Sequence, residues 1–190
     1  MKLRGLLAIG CLAAAASSQA LVIDTYPHWD NNVTDLWKAV AQSFVVDPVD
    51  SVLLSYQFGI NGGTGNLDFS IVPWDLSTGP TGSPVYSTTV AWPGSTGDVL
   101  ISGINTSLTP GNTYAAIVDL QGSDEQSVHW MANNTGNPTG HASWYDDSWF
   151  FLDGSGLSTK FRAEFAPVPE PASLAVLGLG LAAMARRRKK

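Results

Sequence analysis

Three clusters of glycine, proline and small polar residues divide the middle of the chain into pieces too short for ordinary helices. They are Asn61-Gly62-Gly63-Thr64-Gly65-Asn66, Thr78-Gly79-Pro80-Thr81-Gly82-Ser83-Pro84 and Pro93-Gly94-Ser95-Thr96-Gly97-Asp98. Each offers the positive-φ and fixed-φ residues that tight turns require, and each breaks a 3.6-residue period. Between them the apolar residues alternate with period two. Val52, Leu54, Tyr56 and Phe58 share one parity, Leu67, Phe69 and Ile71 another, and Phe161, Ala163 and Phe165 alternate with Lys160, Arg162 and Glu164. The last pattern predicts a final strand with one wet face.

Nine strands are expected: 40–46, 51–60, 67–74, 85–91, 98–104, 113–120, 127–132, 148–152 and 160–165. Thr34–Phe44 suits a helix (Leu36, Val40 and Phe44 at spacing four) as well as a strand. Nine short strands in one unit predict an all-β fold, an antiparallel two-sheet β-sandwich of jelly-roll type. At roughly 150 residues per domain, 190 residues allow a single core. Leu108-Thr109-Pro110-Gly111-Asn112-Thr113-Tyr114 has the pattern of a tyrosine corner, in which the phenol bonds upstream backbone. A plain loop followed by a core tyrosine reads equally well.

Both ends stand apart from this body. All 19 aromatic residues lie between Tyr26 and Phe165. Residues 21–169 hold fifteen acids and three bases (Lys38, Lys160, Arg162), a net charge of −12. Such a body repels polyphosphate, so nucleic acid is not expected as a partner. Lys2 and Arg4, the apolar run Gly5–Ala16, and Ser18-Gln19-Ala20 form a signal peptide over 1–20, cut by signal peptidase after Ala20. The domain is expected over 21–166. Cys11 is the chain's only cysteine, so the mature protein has no disulfide. Ala8-Ile9-Gly10-Cys11 is a loose lipobox, and lipidation at Cys11 is the alternative.

Residues 167–190 read Pro-Val-Pro-Glu-Pro, an apolar run Ala172–Ala185, then Arg186, Arg187, Arg188, Lys189 and Lys190. A helix of that run's 14 residues would span about 21 Å against roughly 30 Å of bilayer hydrocarbon. It suffices as a transient inner-membrane stop, with the basic end retained in the cytoplasm. In order and spacing this tail resembles the PEP-CTERM sorting signal of exopolysaccharide-producing Gram-negative bacteria. The resemblance implies an exosortase, a membrane cysteine protease, that recognises Pro169, Glu170 and Pro171. It also implies a protein that is membrane-anchored before the cut, then at the cell surface or extracellular. A plain membrane anchor is the alternative. The body resembles choice-of-anchor type secreted domains at Ala41–Phe44, Ile71–Asp75 with Thr78-Gly79-Pro80, Leu108–Tyr114, His129-Trp130 with Asn133 and Asn134, Trp149, and Lys160–Arg162. That likeness implies a jelly-roll sandwich and no particular activity.

Catalytic signatures are lacking: there is no Gly-x-Ser-x-Gly, no mature cysteine and no His-Glu-x-x-His. The protein is therefore expected not to be an enzyme, and no cofactor is required. Calcium is the candidate cation, with Asp119, Asp124, Glu125, Asp146, Asp147 and Asp153 as available ligands in acidic loops. Seven tryptophans are more informative. Trp130, Trp144, Tyr145 and Trp149, with Asn133 and Asn134, fall in a loop-rich stretch that could stack sugar rings and bond their hydroxyls. The competing reading makes most tryptophans sandwich core, as at Trp37, Trp74 and Trp130. The expected function is a non-catalytic surface or matrix protein that contacts exopolysaccharide. The alternatives are a secreted glycan hydrolase and a purely structural biofilm component.

Overall fold

The computed structural model describes residues 20–29, 32–33, 37–62, 65–92, 94, 96–120, 129–133, 140–151 and 157–168. Among the described residues fourteen strands occur in the order β1 (Leu21–Asp24), β2 (Asn32–Val33), β3 (Ala39–Val45), β4 (Val52–Asn61), β5 (Gly65–Asp75), β6 (Gly79–Pro80), β7 (Tyr86–Trp92), β8 (Gly97–Ser107), β9 (Thr113–Asp119), β10 (His129–Asn133), β11 (Ala142–Asp146), β12 (Ser148–Phe151), β13 (Ser158–Thr159) and β14 (Phe161–Ala166). A 3₁₀ turn, Tyr26–His28, follows β1. Two sheets form, and every strand pair is antiparallel. The first runs β1-β14-β4-β10-β13, with β8 on the other edge of β4 and β2 beside β10; the second runs β12-β11-β3-β9-β5-β6, with β7 also on β5. This is the expected all-β sandwich, and each of the nine expected strands overlaps an observed one.

The core lies between the sheets. Phe44, Leu53, Tyr56, Ile60, Leu67, Phe69, Ile71, Trp130, Phe161 and Phe165 are all buried there. Tyr56 stacks on Phe161 at 5.5 Å, and Phe44 meets Phe165 edge-on at 5.6 Å. The sheets also share a polar link. Gln42 points inward from β3, and its Oε1 accepts from the Thr159 N–H at 2.7 Å, while Nε2 donates to the Ser43 carbonyl at 3.0 Å. Thr25 ties the chain's first segment to its last, because the Phe161 N–H donates to Thr25 Oγ1 at 2.8 Å and the hydroxyl reaches the Thr159 carbonyl.

Five local points are resolved or revised. Thr34–Phe44 resolves as strand over Ala39–Val45, since alternation puts Val40, Gln42 and Phe44 on the core side of β3. In β4 the alternation slips at Leu54. Leu53 pairs with Phe165 and Ser55 with Glu164, so Leu54 is the extra residue of a bulge, and Leu53 takes the buried place expected for Leu54. Lys160 lies just before β14 and is buried rather than wet, at 8% exposure. Ala142–Asp146, taken as loop, is strand β11, and Leu21–Asp24 adds an unexpected strand beside β14. The tyrosine corner is present: the Thr109 N–H donates to the Tyr114 hydroxyl at 3.3 Å, and Leu108 and Tyr114 are buried.

Candidate functional site

The pairing registers place one continuous row of side chains across the outer face of the second sheet. Thr89 of β7 lies opposite Asp68 of β5, Asp68 opposite Asp119 of β9, Asp119 opposite Ala39 of β3, Ala39 opposite Tyr145 of β11, and Tyr145 opposite Trp149 of β12. Directly opposed residues share a face. Five steps between neighbouring strands make the row about 24 Å long. The next row reads Ser87, Ser70, Ile117, Ala41, Ser143 and Phe151.

This face has an apolar end and a polar end. Ala39, Ala41, Val72, Ala115 and Ile117 make a low buried floor, with Trp74 standing beside it and Tyr145, Trp149 and Phe151 packed against it half-buried. Trp74 meets Trp149 edge-on at 5.0 Å, and Tyr145 lies 5.1 Å from Trp149. Trp149 also covers Gly79, where a Cβ would sit 3.2 Å from the indole and φ is +85°, so that position needs glycine. At the polar end the Thr89 hydroxyl donates to Asp68 at 2.6 Å, and Ser70 and Ser87 line the neighbouring row.

The expected aromatic platform therefore divides. Trp130 is 2% exposed and lies in the core near Phe58, and Trp144 is 4% exposed and stacks on Trp37 at 6.2 Å, so neither can meet a ligand. The reason is strand parity: Trp144 faces the core, so its neighbour Tyr145 faces outward. Of the proposed glycan contacts whose side chains are described, Tyr145 and Trp149 reach a surface. Asn133 lies at the end of β10, its side chain not among those described, and Asn134 lies outside the described residues.

The calcium candidates do not converge among the described residues. Asp146 and Asp147 form the β11–β12 turn, with Asp147 at φ +61°, and both bind the Lys38 ammonium, at 3.2 and 2.6 Å. These bonds, Asp147's first, raise the lysine above its ordinary range. Asp119 faces Asp68 on a different part of the sheet, and Asp124, Glu125 and Asp153 lie outside the described residues. Among the described residues no group of three or more His, Cys, Asp or Glu gathers to hold a metal. The residues that sequence reasoning missed on this face are Asp68, Ser70, Ser87, Thr89 and Phe151. Outward alternation in 66–70 was a readable signal, but which strand lay beside it was not.

The first sheet offers a plainer outer surface. Ser55, Gln57, Leu100, Ser102, Arg162 and Glu164 line a shallow groove of about 260 Å³, closed on one side by the Arg162–Glu164 pair at 2.8 Å. The space between the sheets measures only about 10 Å³ beside Gln42 and Trp130, room for a single water at most.

At the other end of the chain, the family model for the PEP-CTERM protein-sorting motif matches residues 167–189. The tail is a PEP-CTERM sorting signal. The chain is thus an exported surface protein sorted by an exosortase. Ala20, just before β1, is exposed, while Pro169, Glu170, Pro171, Arg186, Arg187, Arg188 and residues 1–19 lie outside the described residues. Among the described residues no helix is long and apolar enough to cross a membrane.

No curated protein matches the chain in sequence. Among solved structures, a clostridial cysteine protease, Cwp84, after propeptide cleavage is similar to this chain with a TM-score of 0.51 at 12% identity, over 72% of this chain and 37% of that one. The cysteine protease and lectin-like domains of Cwp84, a surface layer associated protein of Clostridium difficile, give 0.49 at 12% identity, over 69% and 32%. This chain spans about a third of either structure's length. At that identity the likeness concerns the fold alone.

Proposed function

We propose that the exported sandwich is a non-catalytic surface module that contacts extracellular polysaccharide along the outer face of its second sheet. The observation that carries this is the row from Trp149 and Tyr145 to Asp119, Asp68 and Thr89. Half-buried rings present flat apolar faces to sugar rings, and carboxylates and hydroxyls farther along the same row accept and donate to sugar hydroxyls. A body charge of −12 favours a neutral polymer over an acidic one.

Affinity electrophoresis of the mature surface protein in gels containing neutral glycans tests this. The wild type is expected to be retarded. Trp149→Ala and Tyr145→Ala each weaken binding about two- to tenfold, from a stacking contribution of about 0.5–1.5 kcal/mol per ring. Phe150→Ala, on the opposite face, leaves migration unchanged. Equal migration of all variants at every glycan would leave a purely structural biofilm role.

A second reading, a glycan hydrolase, draws on Asp68 and Asp119. Directly opposed strand residues hold their Cβ atoms about 4.5–5.5 Å apart, which is compatible with the roughly 5–5.5 Å between carboxyls in retaining glycosidases. Release of reducing ends that disappears in Asp119→Asn would favour it.

A further inference from the structure

We infer that the sorting tail is cut while the sandwich is folded, with the end of the sandwich that carries Val45, Val49 and Val168 seated against the exosortase. The inference rests on the tail's processing and adds where and in what state the substrate is held.

The geometry begins at β14. Its last residue, Ala166, pairs with Val52, and the Pro-Glu-Pro motif starts at Pro169. Three extended residues reach only about 10 Å, so the motif stays close to the folded body. Peeling β14 away to provide more reach would break the molecule. β14 is paired on both edges, to β1 and to β4, and Phe161, Ala163 and Phe165 are at most 1% exposed. The protease must therefore approach the sandwich end itself.

That end is built to be firm. The 46–51 connection leads from the second sheet to the first, and the 108–112 connection leads back. They are tied together by Val46 N–H to the Asn112 carbonyl at 3.0 Å, Gly111 N–H to the Val46 carbonyl at 2.9 Å and Leu108 N–H to the Ser51 carbonyl at 2.8 Å. It also exposes apolar side chains among its polar ones. Val45 is 41% exposed, Val49 63% and Val168 50%, three of the eight large hydrophobic side chains left exposed among the described residues. Leu21 pairs with Phe165, so the segment preceding β1 leaves from this same end. Both processing segments thus converge where the exposed valines lie, and the occupant that meets all three is the enzyme that cuts the tail.

The test follows precursor and processed forms of the full chain in cells that carry the exosortase. Removal of residues 167 and 168 should leave the precursor uncut, whereas the same-length substitution Pro167→Gly, which spares the exposed valines, is cut like the wild type. Val49→Asp should slow cutting, and a six-residue Gly-Ser insertion after Val168 should abolish that sensitivity by freeing the motif from the sandwich. Wild-type cutting of both the deletion and Val49→Asp overturns the inference, as does loss of cutting in the same-length replacement, which would trace the effect to motif sequence. A wild-type precursor that is never cut overturns the sorting reading beneath it, a separate and recognisable result.

Discussion

Lys160 crosses the backbone of β4 to reach Asp98 on β8, and Gly59 lets it pass. A Cβ at 59 would lie 2.8 Å from Lys160 Cδ and 2.7 Å from Met131 Sδ, so any side chain there must displace one of them. The ammonium bonds Asp98 at 3.0 Å and sits 4.5 and 4.3 Å above the rings of Tyr26 and Trp29. A buried cation is tolerated only with such partners. Burial, and then the Asp98 charge, also push the Tyr26 phenol well up, so it stays neutral. Asp98→Ala removes the carboxylate that pairs with Lys160 and is expected to cost about 1–3 kcal/mol, below the range of about 3–5 kcal/mol for breaking a fully buried pair because Asp98 is one-third exposed. Lys160→Met, which keeps the stem and removes the charge, should cost less. Urea unfolding of both variants checks this, and equal losses would mean that losing the ion pair, rather than leaving a buried charge unpaired, sets the cost. Alternation alone put Lys160 on the wet face beside Arg162 and Glu164. What it missed is that Lys160 precedes the strand and pairs across Gly59, a relation between residues a hundred positions apart.

Among the elements, the β5–β6 turn shows how a carboxylate fixes a reversal. Asp75 Oδ1 accepts from the N–H and hydroxyl of Ser77, at 2.9 and 2.6 Å, and from those of Thr78, at 2.9 and 3.1 Å. These bonds, Ser77's first, lower its pKa to about 2. The folded value lies below the unfolded one of about 3.9, so the turn's contribution is complete above that and is lost as pH falls through about 2. Acid melts should therefore steepen between about pH 4 and pH 2, less so in Asp75→Asn. A profile unchanged by the substitution would sink the assignment. The turn itself was legible, since Asp, Ser and Thr followed by Gly-Pro specify it locally. Strand β11 was not. Ala142-Ser143-Trp144-Tyr145-Asp146 sits among glycines and acids, and becomes a strand because β3 on one side and β12 on the other satisfy its backbone. The same pairing buries Trp144 and leaves Tyr145 outside.

For the whole molecule, the charge map and the fold lead to one expectation about the protein's final form. Intact mass of the protein recovered from the cell surface should correspond to a chain that begins at Leu21 and ends near Pro169–Pro171. A mass that retains Arg186–Lys190 would contradict processing. The sequence by itself determined the sorting tail and the class of the middle. The sorting tail is legible as a linear order of motif, apolar run and basic end, and all-β character follows from turn residues and period-two alternation, which are local properties of the chain. Tertiary structure alone decided which strands are neighbours, and with that everything about the site. Asp68, Asp119, Tyr145 and Trp149 are spread over more than eighty positions and form one row only because β5, β9, β3, β11 and β12 stand in that order. Strand order is set by non-local burial against a second sheet, and a pattern of alternation records which way a side chain faces but not what it faces beside.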